Sequence, residues 1–122
     1  MKTQLIASAF TALLLACSGD ESTSRTLEIV ARNNGCSPTT FEASTGEQLT
    51  FAVTNQAGGL QTVNIEGIEG MPIQRMSIPD GRTVRINYTA PAGATVQKLK
   101  CDIGTTGAST TIELKVAAAV AR

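Results

Sequence analysis

The chain has 122 residues, ten basic and ten acidic side chains, no net charge, no histidine, no tryptophan, one tyrosine and three phenylalanines. That balance excludes the basic face and positive field on which nucleic-acid binding depends. The lack of histidine removes the usual general base and the commonest metal ligand, and so few aromatic rings leave the core to Val, Ile, Leu and Ala.

In chain order, the first element is an early Lys2 followed by an apolar run from Leu5 to Ala16, too short to cross a bilayer, that breaks at Leu14-Leu15-Ala16-Cys17-Ser18-Gly19-Asp20. This pattern resembles a bacterial lipoprotein signal and its cleavage box. It implies that residues 1–16 are removed and that Cys17 becomes a lipid-carrying N-terminus. Ser18, where an aspartate would favour retention at the inner membrane, directs the expectation to the periplasmic face of the outer membrane. No second apolar run of about twenty residues follows, so the expected membrane partner is met through the lipid alone. Residues 17–25, rich in Ser, Thr and acids, read as a flexible tether.

From 26 to 116 the dominant pattern is alternation with period two, the mark of a strand with one buried face. It is plain in Leu49, Phe51 and Val53, again in Val84, Ile86 and Tyr88, and again in Ile112, Leu114 and Val116. Shorter strands are expected over Leu27 to Ala31, Thr40 to Ala43, Thr62 to Glu66 and Val96 to Cys101. They are separated by turn chemistry at Asn33-Asn34-Gly35, Thr45-Gly46-Glu47, Ala57-Gly58-Gly59 and Pro79-Asp80-Gly81. Gly67 to Ser77 fits no strand and reads as an irregular excursion, and the alanine-rich residues 117–122 read as a frayed tail. About seven short strands in one domain predict an all-β, antiparallel Greek-key sandwich.

Enzymatic signatures are missing from the domain. There is no Gly-x-Ser-x-Gly elbow or Ser-x-x-Lys, and Ala57-Gly58-Gly59 lacks the Gly-Lys-Ser/Thr ending of a phosphate loop. Asp80, Asp102, Glu66 and Glu69 fall in expected turns or loops, where solvated carboxylates belong. The chain is expected not to be an enzyme, and no small-molecule substrate is indicated.

The order of these segments resembles the cupredoxin family. Ser37-Pro38-Thr39-Thr40-Phe41, the Gly46-Glu47 turn, the alternating Leu49-Phe51-Val53 strand and its terminal Asn55 follow the opening of that fold. Gln61-Thr62-Val63-Asn64-Ile65 sits where the family often carries its first copper-ligand histidine. Ile78-Pro79-Asp80-Gly81 and the strand after it match the approach to the last hairpin, and Leu99-Lys100-Cys101-Asp102-Ile103-Gly104 resembles the segment with the ligand cysteine. The departure from the family is as informative. A blue-copper centre uses two imidazoles and a thiolate with a weak axial ligand, whereas Gln61 stands at the first histidine position and Thr105 or Thr106 near the second. The resemblance therefore implies a cupredoxin-like domain without a blue-copper site.

Two readings of the remaining sulfur stay open. Beyond the inner membrane the compartment is oxidising, and in the cupredoxin arrangement Cys36 would face Cys101, so the pair is expected to form a disulfide closing a loop of about 65 residues. Alternatively Cys101, Cys36, Met71 and Met76 supply soft ligands for Cu(I). No cofactor is expected under the first reading, and copper is the one expected under the second. The expected function is that of an envelope lipoprotein with a binding or structural accessory domain, meeting the membrane and an envelope protein partner. Its alternatives are periplasmic Cu(I) handling and electron transfer through an atypical copper site.

Overall fold

The computed structural model describes residues 24–104 and 107–118, which form nine strands and no helix. In order these are β1 (Arg25–Arg32), β2 (Gly35–Ser37), β3 (Thr40–Ser44), β4 (Gln48–Asn55), β5 (Val63–Ile68), β6 (Met76–Ile78), β7 (Thr83–Thr89), β8 (Thr95–Ile103) and β9 (Ser109–Ala117). One sheet has the order β2-β1-β4-β7 and the other β3-β9-β8-β5-β6. Successive connections carry the chain repeatedly from one sheet to the other, so the expected sandwich is present. The signal segment, Cys17, Thr105, Thr106 and residues 119–122 lie outside the described residues.

All seven expected strands are there, and two short ones are added. The turn at Asn33-Asn34-Gly35 does not end a strand so much as reverse it: β1 pairs with β2 in a hairpin that sets Ala31 opposite Cys36. Gly67 to Ser77 is irregular only in its middle. There Met71 N donates to Ile68 O at 3.2 Å, Ile73 N to Met71 O at 2.9 Å and Gly67 N to Ile73 O at 2.8 Å. This winding turns Met71 and Ile73 into the core before β6 begins. Gly67 is required at its place, because a Cβ there would run into the backbone carbonyl of Met71.

The pairings are also more mixed than expected. β1 and β4 run parallel, as do β3 and β9, and the other neighbours are antiparallel. Alternation reports which face of a strand is buried and is the same for either direction of its neighbour, whereas a parallel pair needs a crossover. Here β2 and β3 provide it between β1 and β4.

Between the sheets lie Ile29, Phe51, Val53, Val63, Ile65, Leu99, Ile103, Ile112 and Leu114, all essentially without solvent contact. Phe51 is central: its ring sits 6.3 Å from that of Phe41 and 6.0 Å from that of Tyr88. Tyr88 keeps its hydroxyl satisfied by donating to Gln97 Oε1 at 2.9 Å, and its burial pushes the phenol pKa upward. The domain margins are tied down at the end where β1 starts. Ser24 Oγ bonds Thr50 Oγ1 at 2.9 Å, and β9 runs through Ala117, whose carbonyl accepts from Thr45 N.

Candidate functional site at the disulfide end of the sandwich

Cys36 and Cys101 form a disulfide joining β2 of one sheet to β8 of the other, with their Cα atoms 6.4 Å apart. Both are buried, at 5% and 0% exposure, so the bond is a strut through the interior rather than a surface clasp. Its setting follows from local sequence. The β1–β2 hairpin aims Cys36 inward, Cys36 N donates to Thr110 Oγ1 at 3.0 Å, and Gly35 has no Cβ to collide with that same hydroxyl. Beside it, Arg32, Asn34, Gly35, Ser37, Thr39 and Thr110 border an open cleft of about 380 Å³.

Asn55, fully buried at the end of β4, organises the loops at this end. Its Nδ2 donates to the carbonyls of Gln61 and Ile78, both at 2.8 Å, while its Oδ1 accepts from Ala57 N at 2.9 Å. Its backbone N donates to Arg82 O and its carbonyl accepts from Gly81 N. A single amide thus holds the 56–62 loop and the 78–82 turn together. On the first of these, Gly58, Gly59 and Leu60 have φ of 76°, 63° and 61°, and Leu60 is 88% exposed at its tip.

Among the described residues expected as ligands, Cys36 and Cys101 are bonded to each other and Met71 lies in the same core cluster, whereas Met76 is at the sheet edge and Gln61 precedes β5. Strand register sets Ile65 opposite Cys101 and Val63 opposite Ile103, and Gly104 N donates to Thr62 O. Gln61 therefore comes four residues before the β5 position that faces Cys101, ahead of the start of the strand. Gln61 is itself buried, with its backbone N donating to Gly58 O at 3.2 Å. Met71 is a core residue, whereas Met76 lies at the sheet edge, 37% exposed, separated from Cys101 by Ile65 in the same cross-strand row. Among the described residues no three His, Cys, Asp or Glu side chains come together as a cation site.

Asn55 carried a signal that composition and alternation pass over. An asparagine that ends an apolar strand two residues before a loop amide is the pattern of an Asx-turn, and Asn55 Oδ1 to Ala57 N is that bond.

The far end of the sandwich is different. There the Arg25 guanidinium donates to Glu47 Oε2 at 2.8 Å and Oε1 at 3.2 Å, and to Glu42 O at 2.7 Å. Glu47 Oε1 also accepts from Ser44 N, and these bonds, the guanidinium first, hold its carboxyl below the usual carboxylate range. The side chains are solvated, and with Lys115 and Ser44 they border an open cleft of about 430 Å³.

No protein-family model matches the chain, and no curated protein matches it. Solved structures do. Auracyanin A, a blue copper protein from Chloroflexus aurantiacus, superimposes with a TM-score of 0.60 at 18% identity, covering 77% of this chain and 99% of that one. Auracyanin from Roseiflexus castenholzii gives 0.56 at 20% identity over 77% and 98% of the two chains. The blue copper oxidase of Nitrosomonas europaea gives 0.58 at 12% identity, covering 82% of this chain but 41% of the oxidase. The fold is cupredoxin-like.

Proposed function

We propose that the chain is a lipid-anchored envelope protein whose cupredoxin-like domain serves as a binding or structural accessory and carries no blue-copper centre. The observation that supports this most directly is the bond between Cys36 and Cys101 in a chain without histidine. A thiolate and two imidazoles are what give blue copper its ligand field, and here the cysteine thiol is consumed and the imidazoles are not encoded. The disulfide takes over as a cross-link between sheets, in keeping with an oxidising compartment. Anchoring through Cys17 rests on the signal pattern alone.

One experiment tests the first part. The full chain, isolated without reductant, is titrated for free thiol and then with Cu(II). The expected result is no free thiol from Cys36 or Cys101 and no intense visible thiolate-to-copper band. Such a band would refute the proposal and favour electron transfer through an atypical site, including one completed by a partner's histidine.

A second reading, Cu(I) handling, draws on the copper proteins among the structural neighbours and on Met76 and Cys101 sharing one cross-strand row. It requires reduction first. Tight, colourless Cu(I) binding by the reduced chain, lost in a Cys101→Ser variant, would favour it.

A further inference from the structure

Strand β7 is the open margin of its sheet: β4 lies on one side, and among the described residues no backbone hydrogen bond reaches the other. The phase of the β4–β7 ladder fixes which groups are left. Asn55 N donates to Arg82 O and Ala90 N to Glu47 O at the two ends of the pairing. Hydrogen-bonded pairs therefore fall on Val84, Ile86 and Tyr88, since they recur at every second residue. The N–H and C=O groups of Thr83, Arg85, Asn87 and Thr89 point outward from the sheet.

We infer that this edge pairs with the same edge of a second copy, antiparallel, about a two-fold axis through Ile86. In that register Arg85 lies opposite Asn87 of the other copy, Thr83 lies opposite Thr89, and every outward amide and carbonyl on both strands finds a partner. A slip of two residues in either direction leaves edge groups unpaired. One of those slips also sets Arg85 against its own copy, a repulsive cross-strand pair. On the inner face the same register places half-buried Val84 beside Tyr88 of the other copy and Ile86 beside Ile86, extending the apolar layer. The interface is isologous and closes after two copies.

The other margins are less suited. β2 and β6 are three residues each, and β2 is followed by Pro38, which has no N–H to offer. β3 is five residues long, with a parallel neighbour in β9. β7 offers seven residues and an uncharged centre flanked by one cation. An interface of a single strand pair is small beside a standard stable one, so the dimer is weak in dilute solution. Confinement on a membrane surface, where the lipid anchor proposed above holds, raises the effective concentration toward the millimolar range (~1 mM) and favours it.

The test is sedimentation equilibrium of the full chain in density-matched detergent from about 1 μM to about 1 mM, with amide hydrogen exchange read at both ends of the range. A monomer–dimer equilibrium is expected, with the amides of Thr83, Arg85, Asn87 and Thr89 exchanging quickly when dilute and protected when concentrated. Asn87→Asp keeps the acceptor for Thr50 Oγ1 and sets a carboxylate opposite Arg85 of the other copy, twice. Dimerisation should tighten roughly fivefold. Adding Arg85→Asp to it sets carboxylates opposite each other and should weaken the dimer below that of the starting chain by a similar factor. A monomer throughout the range overturns the inference. So does a dimer in which those amides stay unprotected, and so does protection independent of concentration, which would mean that a segment of the same chain covers the edge.

Discussion

The two ends of the sandwich are held by different physics. At one, the Cys36–Cys101 bond and the amide of Asn55 sit out of contact with water, and each joins segments distant in sequence. At the other, Arg25 and Glu47 are joined in the open, with side chains 49% and 28% exposed. Buried polar groups are costly to strip of a partner because water does not replace it, whereas an exposed ion pair exchanges one polar environment for another. The Asn55 amide makes three side-chain hydrogen bonds and Arg25 with Glu47 four, so bond counting would rank them alike. Burial separates them.

The largest effect is expected at the disulfide. Replacing both cysteines, Cys36→Ala with Cys101→Ala, removes a cross-link between residues 65 apart in sequence. It should lower the unfolding free energy by about 4 kcal/mol in the chain-entropy picture, a large share of what a small domain has. Urea denaturation of both forms measures this. A loss below about 1 kcal/mol would show that packing of the two sheets, and not the cross-link, holds this end.

Asn55→Ala is next. It leaves Ala57 N–H and the carbonyls of Gln61 and Ile78 without their side-chain partner, at an expected cost of about 3 kcal/mol. The loss should appear in urea midpoints together with faster amide exchange in the 56–62 loop and the 78–82 turn, and not in β3 or β9. Uniform acceleration across the domain would instead make Asn55 an ordinary core residue.

At Leu60, on the same end as the disulfide, exposure leaves room for a gain in stability. A leucine at φ of 61° and 88% exposure bears left-handed backbone strain with no burial to offset it. Leu60→Gly should stabilise the domain by about 0.7 kcal/mol, the strain relieved exceeding the extra freedom of glycine in the unfolded chain. A thermal midpoint that falls instead would mean the leucine packs against something in the folded protein.

What the sequence discloses about these ends follows the same division. Alternation located β4, β7 and β9, and turn chemistry bounded β1, β3, β5 and β8; on β4 Leu49, Phe51 and Val53 are buried as that pattern requires, but Thr50 and Ala52 on the opposite face are buried too. Alternation passed over β2 and β6 because three residues are too few to show a period. It gave no direction for neighbours, so the parallel pairs β1–β4 and β3–β9 appear only in the fold. The cysteine pairing was legible from the expected compartment and the family-like order. The distance between Gln61 and the level of Cys101 was not, since register along two strands depends on loops whose geometry is set by contacts such as those of Asn55. Residues that act through their neighbours are the ones a pattern misses.

The smallest effect is expected at the solvated end, and its pH dependence gives it a signature. Glu47 has its carboxyl pKa lowered in the folded state, by the Arg25 hydrogen bond above all and by Ser44 N as well. In the unfolded chain it returns to about 4.3. Between the folded value and that one the unfolded state holds more protons, so the pair's contribution is complete above the unfolded pKa and is lost as pH falls through the folded one. Because the groups are solvated, that contribution is about 0.5 kcal/mol or less. Glu47→Gln should therefore lower stability by that amount at pH 7. The gap between the two forms should close on acidification below about pH 4.3 and narrow at pH 7 as salt is added. A gap that persists at pH 2, or one of several kcal/mol at pH 7, would put this ion pair in the same class as Asn55 and erase the distinction between the two ends.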